Sequence, residues 1–108
     1  MNVSYEDFAK LDLRVAEIKE VCDHPNADKL YLFKIDAGEE QPRQIVAGLK
    51  PYIPPEKLIG RKIVIVANLE PVKLRGEESQ GMLLAAQDGE HVTVLTPAED
   101  VAPGSQVR

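Results

Sequence analysis

Apolar residues along the first third of the chain fall at Leu13, Val15, Ala16, Ile18 and Val21, a period of two that slips between Val15 and Ala16. The slip predicts one long strand with a bulge, the device that bends a strand around a barrel corner. "HPNADK" supplies a turn, and Leu30 to Asp36 is a second strand with Tyr31, Phe33 and Ile35 on one face. After the acidic turn "GEEQP", a third strand runs from Arg43 to Ala47 and stops at Gly48. Pro54 and Pro55 fit the first turn of a short helix that Gly60 ends. Lys62 to Leu69 is a fourth strand, strongly apolar through Ile63, Val64, Ile65 and Val66. A fifth, Met82 to Gln87, and a sixth, His91 to Leu95, flank an Asp88-Gly89 hairpin turn. Upstream of all of these, Ser4 stands three residues before Asp7, an N-cap pattern that predicts an opening helix over Tyr5 to Lys10.

Several short strands with a helix only between the third and fourth is the order of the OB-fold, a five-stranded, partly open barrel. The expected architecture is therefore all-β: one OB-fold domain over residues 1–108, with two short helices and a C-terminal extension beyond the last strand. The long crossover helices of a parallel α/β enzyme are missing.

Composition narrows the setting. With 108 residues and 44% hydrophobic content the chain can hold one core. No apolar run approaches the roughly 18 residues of a membrane span, and "MNVSYEDFAK" lacks the apolar stretch of a secretory signal, so the cytoplasm is the expected compartment. Cys22 is the single cysteine and has no disulfide partner. Its proximity to His24 hints at a metal, but only His91 remains to complete a ligand set, so no metal is expected and both read as ordinary strand-end residues.

The net charge of -5 hides an uneven distribution. Residues 1–28 carry three Lys/Arg against seven Asp/Glu, residues 29–75 carry nine against five, and residues 76–108 carry one against six. A basic middle on an acidic body is the pattern of a surface that faces a polyanion. "EPVKLRGEES" (70–79) straddles the end of that basic middle, between the fourth and fifth strands, where OB-folds mount a ligand-binding loop. An extended backbone there puts Lys73 and Arg75 on one side and Val72 and Leu74 on the other, with Gly76 allowing a sharp turn. The competing reading is a solvated hairpin with Leu74 tucked into the core and idle charges.

Four segments in order, "DLRVAEI" (12–18), "HPNADKLYLFKID" (24–36), "IVAGLKPYIPPEKLIGRKIVIVANLEPVKLRG" (45–76) and "SQGMLLAA" (79–86), carry a resemblance that spans nearly the whole chain. Together they resemble the tRNA-binding domain found at the C-terminus of many methionyl-tRNA synthetases, in free-standing tRNA-binding proteins and in the endothelial-monocyte-activating polypeptide domain. The resemblance implies an OB-fold that binds tRNA by its shape with little sequence preference, as a homodimer or as a module attached to the synthetase catalytic region. It also implies RNA-binding positions. The basic loop matches Lys73, Arg75 and Gly76; the "S-x-G-M" segment matches Ser79, Gly81 and Met82; the "L-R-V" arginine falls at Arg14. The "N-A-D-K-L" turn falls at Asn26 to Leu30, bringing in Asn26 and Lys29, and the "N-L-x-P" strand end brings in Asn68.

The residue chemistry is compatible with that expectation. Single-strand binders stack bases on aromatic side chains, and this chain has only Tyr5, Phe8, Tyr31, Phe33 and Tyr52 and no tryptophan. Folded RNA is held instead through phosphates and 2′-hydroxyls, which suits Lys, Arg, Asn and Ser. No Gly-x-Ser-x-Gly elbow, triad pattern or Gly-x-x-x-x-Gly-Lys phosphate loop occurs, so no catalytic residue and no cofactor is expected. Apolar Phe8, Leu11, Tyr52, Ile53 and the tail "DVAPGSQVR" exceed what a small barrel needs, which predicts an isologous dimer. A protein-binding chaperone, resembling the small secretion chaperone of the same fold, is the alternative.

Overall fold

The computed structural model describes every residue, Met1–Arg108. Ser4 accepts a hydrogen bond from the Asp7 backbone N–H and so caps helix α1, Tyr5–Phe8, which is a single turn rather than reaching Lys10. Strand β1, Leu13–Asp23, is the longest element. It pairs with β2, Tyr31–Asp36, and its register shifts between Ile18 and Glu20, so the bulge sits a few residues beyond the slip in the sequence pattern. The bend lets β1 serve two neighbours: its second half pairs with β2 and its first half with β4, Lys62–Val66.

β3, Arg43–Ala47, pairs with β2. A single 3-10 turn, Pro55–Lys57, follows with Pro54 preceding it in extended conformation. β4 is shorter than expected because Ala67 to Leu69 turn away from the sheet, and its far side pairs with β7, Met82–Leu83. The expected fifth strand is broken after Leu83: Ala85–Asp88, β8, leaves the sheet and forms a separate hairpin with β9, His91–Val94. Between β4 and β7 the basic loop is itself a hairpin of β5, Val72–Leu74, and β6, Glu77–Ser79. The C-terminal extension is built into the sheet, where β10, Gln106–Val107, pairs with the start of β1.

The main sheet runs β3-β2-β1-β4-β7 and curls into an almost closed, nearly all-β barrel. Alternation aims Tyr31, Phe33 and Ile35 from β2, Ile45 from β3 and Ile63 and Ile65 from β4 into one core. Tyr31 and Phe33 meet edge to face with ring centroids 5.8 Å apart, and the Tyr31 hydroxyl donates to the Ile53 carbonyl at 2.8 Å. Ile53, expected on an outer face, is buried in this core. Its neighbour Tyr52 is exposed, as are all of residues 1–11, Phe8 and Leu11 among them. No helix is long and apolar enough to cross a membrane.

Side chains close the barrel between β3 and the chain from β6 to β7. The Val46 N–H donates to the Ser79 hydroxyl at 3.0 Å, and that hydroxyl donates to the Gly81 carbonyl at 3.0 Å. The Gln80 N–H donates to the Gln44 carbonyl at 2.7 Å, while the Gln44 N–H donates to the Gln80 side chain at 3.0 Å. Arg43 donates to the carbonyls of Ala67 and Gln80 and grips Glu39 with Nε and Nη2 at 2.6 and 2.8 Å. Side chains thus take over much of the backbone pairing that a continuous ladder would supply along this seam.

Candidate nucleic-acid interface

Arg75 and Gly76 form the two-residue tip of the β5–β6 hairpin, with φ of 54° and 91°. Positive φ at both central residues is the requirement of a type I′ turn, whose twist matches that of the flanking strands. Glycine meets it freely, whereas an arginine in this region is strained. Arg75 is the only non-glycine residue of the chain with positive φ. Val72 and Leu74 are both exposed, so the hairpin stands off the core instead of tucking Leu74 into it.

The hairpin tip reaches the turn between β1 and β2. The bridge is His24, only 5% exposed, whose Nε2 lies 2.8 Å from the Leu74 carbonyl and whose Nδ1 lies 2.9 Å from the Asn26 N–H. Asn26 adds a long contact of 3.5 Å from its side-chain amide to the Arg75 carbonyl. Lys29 and Arg75 then line one shallow recess together with Ala27, Asp28 and Leu30.

Charge pairing separates these cations from most others. Lys10, Arg14, Lys19, Arg43, Lys50 and Lys62 each sit in an ion pair. Lys29, Lys73 and Arg75 do not, nor do Lys34, Lys57, Arg61 and Arg108; what sets the first three apart is that Lys29 and Arg75 share one recess and Lys73 lies on the hairpin that carries Arg75. A cation outside an ion pair meets an incoming anion without first breaking a contact, although Asp28 in the same recess and Glu78 opposite Lys73 reduce the local positive potential.

The remaining expected RNA-binding positions divide differently. Ser79 is buried, and both capacities of its hydroxyl are spent on the seam. Asn68 accepts from the Asp12 N–H at 2.8 Å and donates to the Lys10 carbonyl at 2.7 Å, tying the N-terminal segment to the end of β4. Arg14 turns its Nε to both Asp12 carboxylate oxygens at 3.0 Å, and that bond, with the Asp12 charge, raises the guanidinium above its ordinary pKa. None of these three lines the Lys29–Arg75 recess. Met82 is exposed on β7. His24, read from the sequence as an ordinary strand-end residue, is instead the joint of the site; its one sequence signal is its place at the head of a turn already expected to matter. Cys22 is exposed at the end of β1.

The family model described as "Putative tRNA binding domain" matches residues 13–106. The chain belongs to the tRNA-binding domain family. Among curated relatives it is similar to a methionine–tRNA ligase of Pyrococcus horikoshii, 63% identical over 106 residues that make up 98% of this chain and 14% of that enzyme. The chain therefore spans about one-seventh of the length of such relatives. Among solved structures, a MetRS-related protein of Pyrococcus horikoshii superposes with a TM-score of 0.91 at 34% identity, covering 100% of this chain and 99% of that one. The CsaA chaperone protein of Picrophilus torridus gives 0.90 at 34%, covering 99% and 100%. Solved structures similar to this chain thus carry both kinds of name.

Proposed function

We propose that this single domain binds tRNA through phosphates at the end of the barrel where Lys29 and Arg75 line one recess, with Lys73 on the adjoining hairpin strand, Asn26 in the neighbouring turn and Met82 contributing from β7. The observation that carries the reading is a recess shared by two unpaired cations, Lys29 and Arg75, where a buried histidine joins a hairpin to a turn, in a chain of the tRNA-binding domain family. In this reading Arg14, Asn68 and Ser79 support the site from behind, by holding chain segments rather than RNA. The domain does no chemistry itself. It works in the cytoplasm, attached to or beside a methionyl-tRNA synthetase catalytic region that supplies the adenylate-forming site. It pairs with a second copy through exposed Phe8, Leu11 and Tyr52, a contact that sedimentation equilibrium at micromolar concentration tests.

The chaperone alternative draws on exposed Val72, Leu74 and Met82 but leaves the unpaired cations without a role. The test is a salt titration of tRNA affinity for the parent, a Lys73→Ala/Arg75→Ala variant, and a Lys10→Ala/Lys19→Ala control whose cations are already ion-paired. The loop variant should lower the log–log salt slope by about one to two, because each lost phosphate contact releases fewer counterions. The control should keep the parental slope. Equal slopes for all three proteins, or preferential capture of unfolded protein over tRNA, would defeat the proposal.

A further inference from the structure

The His24 ring faces one donor and one acceptor. A backbone N–H can only donate, so Nδ1, which meets the Asn26 N–H, must be the bare acceptor. A carbonyl can only accept, so Nε2, which meets the Leu74 oxygen, must carry the proton. One neutral tautomer satisfies both, and it spans 50 residues of sequence between the β1–β2 turn and the hairpin. The hairpin has no other short tie to that turn, the Asn26 to Arg75 contact being 3.5 Å long. Its own two strands are three residues each, and Arg75 at its tip is strained. Its β6 strand is fastened to β3, where the Gln44 side-chain amide donates to the Glu77 carboxylate at 3.2 Å and to the Glu78 carbonyl at 2.9 Å, so the β5 side of the tip is what His24 holds.

We infer that His24 is a positioning residue: by holding the Leu74 carbonyl it fixes Arg75 against Lys29, so that the two cations meet adjacent phosphates of an RNA ligand together. The inference rests on the tRNA reading above, and the tie itself is testable without RNA. A fixed pair binds a polyanion better than two mobile cations because the ordering cost is met on folding.

Two substitutions separate the two bonds. His24→Asn places a side-chain oxygen where an Asx turn accepts the N–H two residues on, preserving the Asn26 bond, but is too short to reach Leu74. His24→Phe keeps the ring and loses both bonds. In the RNA-free protein, amide hydrogen exchange over residues 72–79 should quicken in both variants, while β1 and β2 stay protected in His24→Asn. Two-bond nitrogen NMR of the parent should report the Nε2–H tautomer; an Nδ1–H tautomer overturns the inference. With tRNA, His24→Asn should lose roughly tenfold in affinity in the parent background and almost nothing in the Lys73→Ala/Arg75→Ala background, since groups acting through one another are not additive. Equal losses in both backgrounds, or unchanged hairpin exchange, overturn it. If the parent binds no tRNA while hairpin exchange responds as expected, the tie stands and the RNA reading fails.

Discussion

The chain from Val72 to Gly81 serves two regions with opposite economies of hydrogen bonding. At the seam, Arg43, Gln44, Ser79 and Gln80 commit their polar groups to one another, to backbone and to the carboxylates of Glu39 and Glu77, and Ser79 is buried. At the hairpin tip a few residues away, Lys73 and Arg75 have no ion-pair partner and Arg75 holds a strained φ. Saturated polar groups stabilise a fold and have nothing left for a ligand; unsaturated ones are idle in the fold and available outside it. Residue type alone does not separate the two regions, since arginine and serine occur on lists of RNA-contacting groups and of structural ones alike.

The sharpest way to break the contrast is at the seam. Gly81 has a φ of 118°, and an added Cβ would stand 2.8 Å from the Val66 carbonyl oxygen. Gly81→Ala should therefore cost more than about 3 kcal/mol, combining backbone strain with a steric clash against a strand that cannot yield. A thermal melt that shifts by only a degree or two would show that β7 is not fixed against β4 as the register implies. Ser79→Ala is next. It leaves the Val46 N–H unsatisfied in the barrel wall, a loss of about 1 to 3 kcal/mol in urea unfolding. The salt slope of tRNA binding should stay parental in this variant, provided it is assayed below its melting transition; a flattened slope would place Ser79 at the interface.

Much of the barrel is legible in the chain, for stated reasons. Period-two alternation gave the inward face of Tyr31, Phe33 and Ile35, and the slipped pattern gave a bulge in β1. Strand ends were less legible. Lys62 to Leu69 stays apolar past the point where the chain turns, because Ala67 is buried outside the strand, and Met82 to Gln87 conceals a change of partner that only tertiary pairing decides. Asn68 and Ser79 look like RNA ligands in a motif because their amide and hydroxyl would suit a 2′-hydroxyl. Their partners, Asp12 and Val46, lie more than 30 residues away in sequence, beyond the reach of any local pattern. The same distance hides His24 and Leu74.

A smaller effect tests the seam's electrostatics. Arg43 holds the Glu39 carboxyl below its ordinary pKa, through its hydrogen bonds first and its charge second, against a desolvation that acts the other way. A depressed folded pKa stabilises the protein above the unfolded value, near 4.3, and that contribution is lost as pH falls through the folded value. Glu39 is partly exposed, so screening limits the pair to at most about 1 kcal/mol. Glu39→Gln should accordingly be slightly less stable than the parent at pH 7, with the gap closing below about pH 4. A gap that is constant from pH 7 to 3 would assign the difference to hydrogen bonding alone.

The smallest stability change carries the most information about the tip, because its sign should oppose that of binding. Arg75 occupies the first central position of the type I′ turn with a φ of 54°, where asparagine is the favoured residue before glycine. Arg75→Asn removes a strained side chain from a left-handed position, and its short amide is tolerated there better than a long aliphatic stem. The variant should gain about 0.5 kcal/mol in urea unfolding, with the register Leu74↔Glu77 and the His24 tie to Leu74 unaffected. Affinity for tRNA should nevertheless fall and the salt slope should drop by about one, because a phosphate-competent cation is gone from the recess it shares with Lys29. A position that evolution leaves strained is explained by use when relieving the strain removes the activity. If Arg75→Asn is more stable and binds tRNA with the parental slope, the tip is a solvated turn like any other and the contrast with the seam has no functional content. If it is less stable, the guanidinium contributes to the fold, and the division between spent and available polar groups fails at the residue on which it most depends.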